Sequence, residues 1–380
     1  MKYELKIEKM SYGSSAIGRL SLPDQERPIV VFVEYAVPGD TVLVEIFKQH
    51  KNFWEGKILE VLSPSPNRTE PFCKHFGECG GCQWQQISYD AQVSHKKDVL
   101  LHQIQKATKI SVDELEPKLT VMPATKTKKY RYRAQVRSDG EKLGFYKSNS
   151  KDFIAIDECP VLATELQKKW ASFKPSPEIT KIEWTLESSG KILESLDANH
   201  AALGFTQINP EQNNILVDLV TKHAMTTTSK DYVLDLYAGS GNLSQKLASK
   251  FKKILCVESH GPGKKSSEIE KVATGITHLA MAVERFLTPS IFGDLCAKWS
   301  LPKNPNVVIA DPPRAGLSGT ATSVSKLGAE KVILVSCDPS TLARDLPSFL
   351  SHYSIEHIYL LDMFPHTYHI ETVVVLNRKN

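Results

Sequence analysis

Apolar residues recur in short alternating stretches over the first 62 positions, at 5–7, 29–33, 42–46 and 56–62, with breaks at Gly13, Gly18 and Pro38-Gly39-Asp40. Evenly spaced short strands divided by turn residues predict a small β-barrel over 1–62. Ser63-Pro64-Ser65-Pro66-Asn67 then reads as a stiff polar linker. A second region, 70–204, is mixed in character. A helix is expected over 84–109, where Val93, Leu100, Ile104 and Ala107 fall at helical spacing, and strand-like segments follow around 118–157 and 180–204. In the third region, 205–380, the pattern settles into strand–helix alternation, with apolar strands at 232–236, 254–257, 307–310, 332–335, 355–361 and 372–376. Ile215, Leu216, Leu219 and Val220 line one face of an intervening helix. Such alternation predicts an α/β domain with a parallel sheet covered by helices on both sides.

Composition narrows the class. No apolar run approaches the roughly 18 residues needed to cross a bilayer, and the opening MKYELKIEKM lacks the continuous apolar core of a secretion signal. A soluble, cytoplasmic protein with no membrane partner is expected. The net charge of +4 is small, so a nucleic-acid surface would have to be a local patch. Cys73, Cys79 and Cys82 crowd into ten of the 380 positions. In a reducing compartment such crowding reads as metal binding or catalysis rather than a disulfide framework.

The stretch VLDLYAGSGNLS, 233–244, runs from a buried strand into a glycine turn. Gly239 and Gly241 allow a sharp turn and close ligand approach, but Ser244 stands where the third glycine of a dinucleotide fingerprint would be. Asp235 lies near the strand end, and Glu258 ends the next strand, where a carboxylate can accept hydrogen bonds from ribose hydroxyls. With Asp311 ending a later strand, S-adenosylmethionine fits better than NAD, because a methyl donor needs no pyrophosphate cradle.

Three further motifs fall at predicted strand ends, the edge where open parallel sheets bind ligands. ADPPRAGL places Asp311 in a proline-stiffened loop, SCDPSTLARDL places Cys337 after the next strand, and Glu371 starts the last one. Asp338-Pro339 reads as an N-cap with proline at the first helical position, so Cys337 is expected at a helix N-terminus with a lowered thiol pKa. A thiolate beside a methyl donor suits methylation of uracil carbon 5, a position too weakly nucleophilic to react unaided. Addition of sulfur to carbon 6 activates it. Glu371 would then remove the carbon 5 proton, and Asp311 would orient the base or the intermediate.

Cys73-x5-Cys79-x2-Cys82 and the remote Cys159-Pro160 are compatible with iron–sulfur ligation or with a structural zinc. With a fourth ligand available, the site reads as closed and non-radical. Residues 125–137 carry Lys126, Lys128, Lys129, Arg131, Arg133 and Arg137 without an acid, interleaved with Tyr130 and Tyr132. Arg and Tyr alternating on a strand would present phosphate contacts on one face and stacking on the other, so Lys129, Arg131 and Arg133 are candidate RNA contacts.

Together, CKHFGECGGCQWQ, GFTQINPEQN, LDLYAGSGN, ADPPRAGL, SCDPSTLARDL and DMFPHTYHIETVVVL resemble the S-adenosylmethionine-dependent RNA uracil-5 methyltransferases, in the branch with an iron–sulfur cluster and an N-terminal TRAM domain. The resemblance covers nearly the whole chain. It implies a Rossmann-like class I methyltransferase domain, a TRAM or OB-like barrel and a central mixed α+β iron–sulfur domain. By the same resemblance Cys73, Cys79, Cys82 and Cys159 would hold a [4Fe-4S] cluster. Gln207, Tyr237, Asn242, Glu258 and Asp311 would contact the methyl donor, Cys337 would be the nucleophile and Glu371 the base. The expected partner is RNA, 23S rRNA in preference to the T-loop of tRNA, and the expected state is a monomer. Asp338 stands where the family more often has asparagine, and YRYRA replaces a YRNK-like run. Two other classes compete. Methylation of an exocyclic amino group needs no cysteine and usually carries an aromatic where Arg314 stands, and a zinc RNA-binding module leaves Cys337 and Glu371 unexplained.

Overall fold

In the computed structural model, which describes residues 1–23, 25–197, 207–259, 269–271, 275–302 and 304–379, the N-terminal alternation folds as five strands. These are β1 (Lys2–Met10), β2 (Ser15–Leu20), β3 (Ile29–Glu34), β4 (Thr41–Gln49) and β5 (Phe53–Ser63), closed into a barrel in the order β1-β2-β3-β5-β4. Leu5, Ile7, Val31, Val33, Val42 and Val44 fill its interior. Each such burial is worth about 1.5–3 kcal/mol relative to exposure. Gly18 is required where β2 meets β1, since a Cβ there would sit 2.7 Å from the Leu5 Cγ and the Lys6 carbonyl oxygen.

The stretch expected to be a stiff polar linker is stitched to the barrel. Asp40 is fully buried, accepts hydrogen bonds from the Val37 and Ser65 amides at 2.7 and 2.8 Å, and pairs with Arg68. A buried carboxylate is tolerated only with such donors, so its turn draws Ser65 and Arg68 in.

A second sheet contains β7 (Arg133–Ser138), β8 (Leu143–Tyr146), β9 (Phe153–Ala155), β10 (Lys181–Leu186) and β11 (Ile192–Leu196), once β6 (Leu119–Met122) has left to join the large sheet described below. Its order is β11-β10-β7-β8-β9, antiparallel throughout. Val136, Ile182 and Trp184 share one core with Leu166 and Trp170 of the helix Thr164–Ser172.

The large sheet comprises β6, β12 (Tyr232–Leu236), β13 (Lys253–Glu258), β14 (Ile269–Lys271), β15 (Ile276–Ala280), β16 (Val307–Ala310), β17 (Lys331–Ser336), β18 (Tyr353–Leu361) and β19 (Glu371–Arg378). Its order is β14-β15-β13-β12-β16-β17-β19-β18-β6. β12, β16 and β17 are buried at every position, as continuous apolar strands covered on both faces should be. The chain runs outward from β12 through β13 and β15, then returns to β16 on the other side of β12. That reversal is the switch point at which open α/β sheets bind ligands. The sheet is not wholly parallel: β19 inserts antiparallel between β17 and β18. Its beginning therefore lies at the same edge as the end of β17.

Contacts group the chain into two units. Met1–Val99, Lys126–Ala198 and Phe364–His369 form one, and Leu100–Thr125, Asn199–Met363 and Ile370–Asn380 the other. The expected region 70–204 is thus interrupted, because β6 belongs with the large sheet. The expected boundary at 204/205 lies outside the described residues. Among the described residues no helix is long and apolar enough to cross a membrane.

Candidate active site and cysteine pocket

The register of the large sheet assembles one chemical group at the ends of its central strands. Ser336 faces Thr372 across the β17–β19 ladder, so Cys337 and Glu371 occupy the next opposed positions. Ala310 pairs with both Leu236 and Leu334, which sets Asp311 between the end of β12 and the end of β17. Three residues read separately from sequence, Cys337, Glu371 and Asp311, therefore meet at one edge.

Their electrostatics are mutual. Glu371 is 4% exposed, and burial together with the Asp311 charge holds its carboxyl well above the ordinary range. Burial likewise lifts Asp311 to about 7. Two carboxyls this close resist ionising together, so the pair retains a proton near neutrality. The Cys337 thiol is pushed up to about 11, first by burial and then by the Glu371 and Asp311 charges, while Arg314 pulls it down. The expectation of a lowered thiol pKa is thus corrected. The following helix, Pro339–Asp345, has only seven residues, and its positive end is occupied by the Asp338 carboxylate, which accepts from the Ser340 and Thr341 amides at 2.8 and 3.1 Å. Sequence shows the cap but not the carboxylates that face the sulfur from other strands.

At the neighbouring switch point, Tyr237, Gly239 and Gly241 all adopt positive φ, of 59°, 55° and 85°. A Cβ on Gly239 would meet nothing within 4 Å, so the turn borders open space. The Gly239 amide donates to Glu258 Oε2 at 3.1 Å, which fixes that carboxylate at the turn. Behind it Asp235 is fully buried, lifted to about 7 by burial and by the Asp311 and Glu258 charges, and its Oδ1 has no hydrogen-bond partner. Asn242 exchanges amide hydrogen bonds of 2.8 and 3.2 Å with Asn213 on the helix Pro210–Ala224, and half-buried Gln207 lies just before that helix. An open glycine turn backed by a buried carboxyl with one unpartnered oxygen and flanked by a second carboxylate fits a polar, positively charged donor such as S-adenosylmethionine.

The first unit holds a different sulfur site. Cys73, Cys79, Cys82 and Cys159 line one cavity of about 320 Å³ together with Arg131, Arg137 and Tyr146. All four are free thiols. Burial pushes Cys82 up to about 12 and Cys159 to about 11, and the Arg131 guanidinium pulls both down. A single tetrahedral ion with bonds of about 2.3 Å would hold its sulfurs about 4 Å apart. Among the described residues, the His, Cys, Asp and Glu donors found in threes within 4.8 Å of one another are those of His223, Glu356 and His357, not the pocket sulfurs.

The basic stretch is not the open strand its alternation suggests. Only from Arg133 is it part of β7, and Tyr130 is buried. Arg131 lines the sulfur cavity, with its Nε donating to the Arg133 carbonyl at 2.9 Å. Arg133 donates through Nε to buried Glu183 at 2.7 Å. These two cations are thus hydrogen-bonded within the fold, whereas Lys129 is exposed on the loop. The His223, Glu356 and His357 group is also internally engaged, since His223 bonds Tyr359 at 2.8 Å and Glu356 bonds Lys331 at 2.6 Å.

Residues 182–379 match the tRNA (Uracil-5-)-methyltransferase family, and residues 2–59 match the TRAM domain. The chain is similar to the 23S rRNA (uracil(1939)-C(5))-methyltransferase RlmD of Vibrio parahaemolyticus, at 28% identity over 98% of this chain and 95% of that one. An uncharacterized RNA methyltransferase of Bdellovibrio bacteriovorus is 30% identical over 99% of this chain and 95% of its own. Among solved structures, the Pyrococcus abyssi tRNA (uracil-54, C5)-methyltransferase in complex with S-adenosyl-L-homocysteine shares the fold, with TM-score 0.63 and 20% identity over 98% of this chain and 99% of that one. A family match over just over half of the 380 residues, joined to that 30% identity across nearly the full length, settles the assignment. The chain belongs to the S-adenosylmethionine-dependent RNA (uracil-5-)-methyltransferases.

Proposed function

We propose that this enzyme methylates carbon 5 of a uridine in 23S rRNA through a covalent bond from Cys337 to carbon 6 of the base. The observation that carries the chemistry is the antiparallel register that opposes Cys337 and Glu371, with Asp311 on the adjoining strand. The rRNA target is supported by relatives named as 23S rRNA enzymes that match 98–99% of this chain at 28–29% identity.

Bound S-adenosylmethionine supplies an electrophilic methyl group, and Gln207, Tyr237, Asn242, Glu258 and Asp311 are the residues that would hold it. The productive state carries one proton over Cys337, Asp311 and Glu371. The thiol gives that proton to Asp311 as its sulfur adds to carbon 6, and the electron pair released from the ring double bond makes carbon 5 nucleophilic. Once carbon 5 carries the methyl group, Glu371 takes its proton. The double bond re-forms, the bond from sulfur to carbon 6 breaks, and the departing thiolate recovers its proton from Asp311. A thiol raised to about 11 rests protonated near neutrality, so its proton has to pass to a neighbouring base as the sulfur adds.

Cys73, Cys79, Cys82 and Cys159 are the residues that would hold a [4Fe-4S] cluster, whose role here is to tie the 73–82 loop to Cys159. Iron and sulfide in equal amounts in an anaerobic preparation would support this, and stoichiometric zinc would overturn it. For the target, mapping 5-methyluridine in RNA from a deletion strain should show loss of one 23S signal with tRNA unchanged. Loss from the tRNA T-loop instead would refute the rRNA assignment.

A further inference from the structure

The loop that carries Asp311 and Arg314 is not held by its prolines alone. Asp345, at the far end of the helix that follows Cys337, is 6% exposed, and its Oδ2 accepts the Leu317 amide at 2.7 Å. Arg344 donates from Nε to Asp345 Oδ1 at 2.9 Å and from Nη2 to the Ala315 carbonyl at 2.7 Å. Between these anchors Gly316 turns at φ 70°, with its amide donating to the Pro313 carbonyl at 2.7 Å. A Cβ on Gly316 would lie 2.5 Å from Asp345 Oδ2 and 2.7 Å from Arg344 Nη2, so loop and helix are in direct contact. Further on, Thr320 reaches the Tyr237 hydroxyl at 3.4 Å, beside the glycine turn.

We propose that Asp345, with Arg344, is a positioning residue for uracil methylation, clamping the Asp311–Leu317 loop onto the helix behind the nucleophile so that Asp311 and Arg314 stay at the sulfur. The physical reason is charge. Of the groups acting on Cys337, Glu371, Asp311 and Asp338 disfavour the thiolate and Arg314 favours it. A loop released from Asp345 loses the fixed placement of that one favourable charge and of the carboxyl that takes the thiol proton. Two backbone groups held by one rigid carboxylate–guanidinium fork give the geometric precision that a proline loop lacks.

The inference rests on the covalent reading above, and the experiment separates the two. Wild type, Asp345→Ala, Asp345→Asn and Arg344→Met are compared in the rate of adduct formation with 5-fluorouridine RNA between pH 6 and 10. Steady-state kcat and the KM for S-adenosylmethionine are measured alongside. Asp345→Ala should lower kcat about 10²-fold, the scale of a misplaced catalytic group, with KM changed much less and the adduct-rate profile moved to higher pH. Asp345→Asn keeps an acceptor for the Leu317 amide and should recover part of the rate. Arg344→Met, which alters a half-exposed side chain, should show the same upward move in smaller degree even if Asp345→Ala fails to fold. Variants whose adduct rates and pH profiles match wild type would overturn the clamp while leaving the covalent reading intact. Absence of any wild-type adduct would overturn that reading instead.

Discussion

The four thiols of the first unit's cavity and the single thiol at the second unit's sheet edge start from the same chemistry, and burial pushes both kinds up, Cys82 to about 12 and Cys337 to about 11. They part in their company. The cavity thiols lie among one another, which resists their ionisation further, and the Arg131 guanidinium is the charge beside them that favours it. Cys337 has carboxyls as its near neighbours, and these resist a standing thiolate but can carry its proton away. On the function proposed above, one set of sulfurs would hold a cluster and the other would pass its proton on. Burial alone does not mark a cysteine as inert or reactive, because the titratable groups that face it decide the outcome.

The sharpest way to break this contrast is to remove the mobile sulfur. Cys337→Ser should cut methyl incorporation about 10⁴-fold or more, even though all four cavity thiols remain, and retention of turnover within tenfold of wild type would erase the distinction. Glu371→Gln should cost about 10²–10⁴-fold. It should also let an adduct persist on ordinary RNA, seen as a band resistant to detergent, since the carbon 5 proton then has no acceptor. Because the carboxyl pKa values are raised, the productive state forms as the surplus proton leaves. Turnover should therefore climb with pH from 6 through 8 and beyond in a stopped-time methylation assay, because Glu371, also raised, must be ionised as well as Asp311. A profile falling over that range would contradict the assignment. The smallest effect on chemistry belongs to the cavity. Cys159→Ser should lose bound iron and about 4–8 °C in Tm, matching roughly 2 kcal/mol in a domain of this size, while the folded fraction keeps most of its turnover.

Much of the architecture could be read before any coordinates. Alternation marked four of the five barrel strands, missing β2, which runs through the break expected at Gly18; continuous apolar runs marked β12, β16 and β17, and strand ends located Asp311, Cys337 and Glu371. What stayed hidden depended on partners remote in sequence. Arg133 reads as one more cation of a basic run, and its bond to Glu183, fifty positions away on β10, is invisible there. Asp40 looks like an ordinary turn residue until Ser65 and Arg68 close on it. Glu371 is legible as a base at a strand start, but the antiparallel insertion of β19 that puts it across from Cys337 is not, because strand–helix alternation predicts a parallel sheet. Asp345 lies inside a quoted motif, yet nothing in the motif shows that its carboxylate reaches the Leu317 amide.

The central claim is that Cys337 sulfur bonds to the base during turnover, and peptide mapping of the trapped complex tests it most directly. Fluorine at carbon 5 cannot leave as a proton, so the reaction should stop with the methylated nucleotide still attached. After incubation with 5-fluorouridine RNA and S-adenosylmethionine, followed by protease and nuclease digestion, mass spectrometry should find one methylated 5-fluorouridine nucleotide on the peptide containing Cys337. Attachment at any other residue, or full activity on uridine RNA with no attachment at all, would contradict the account.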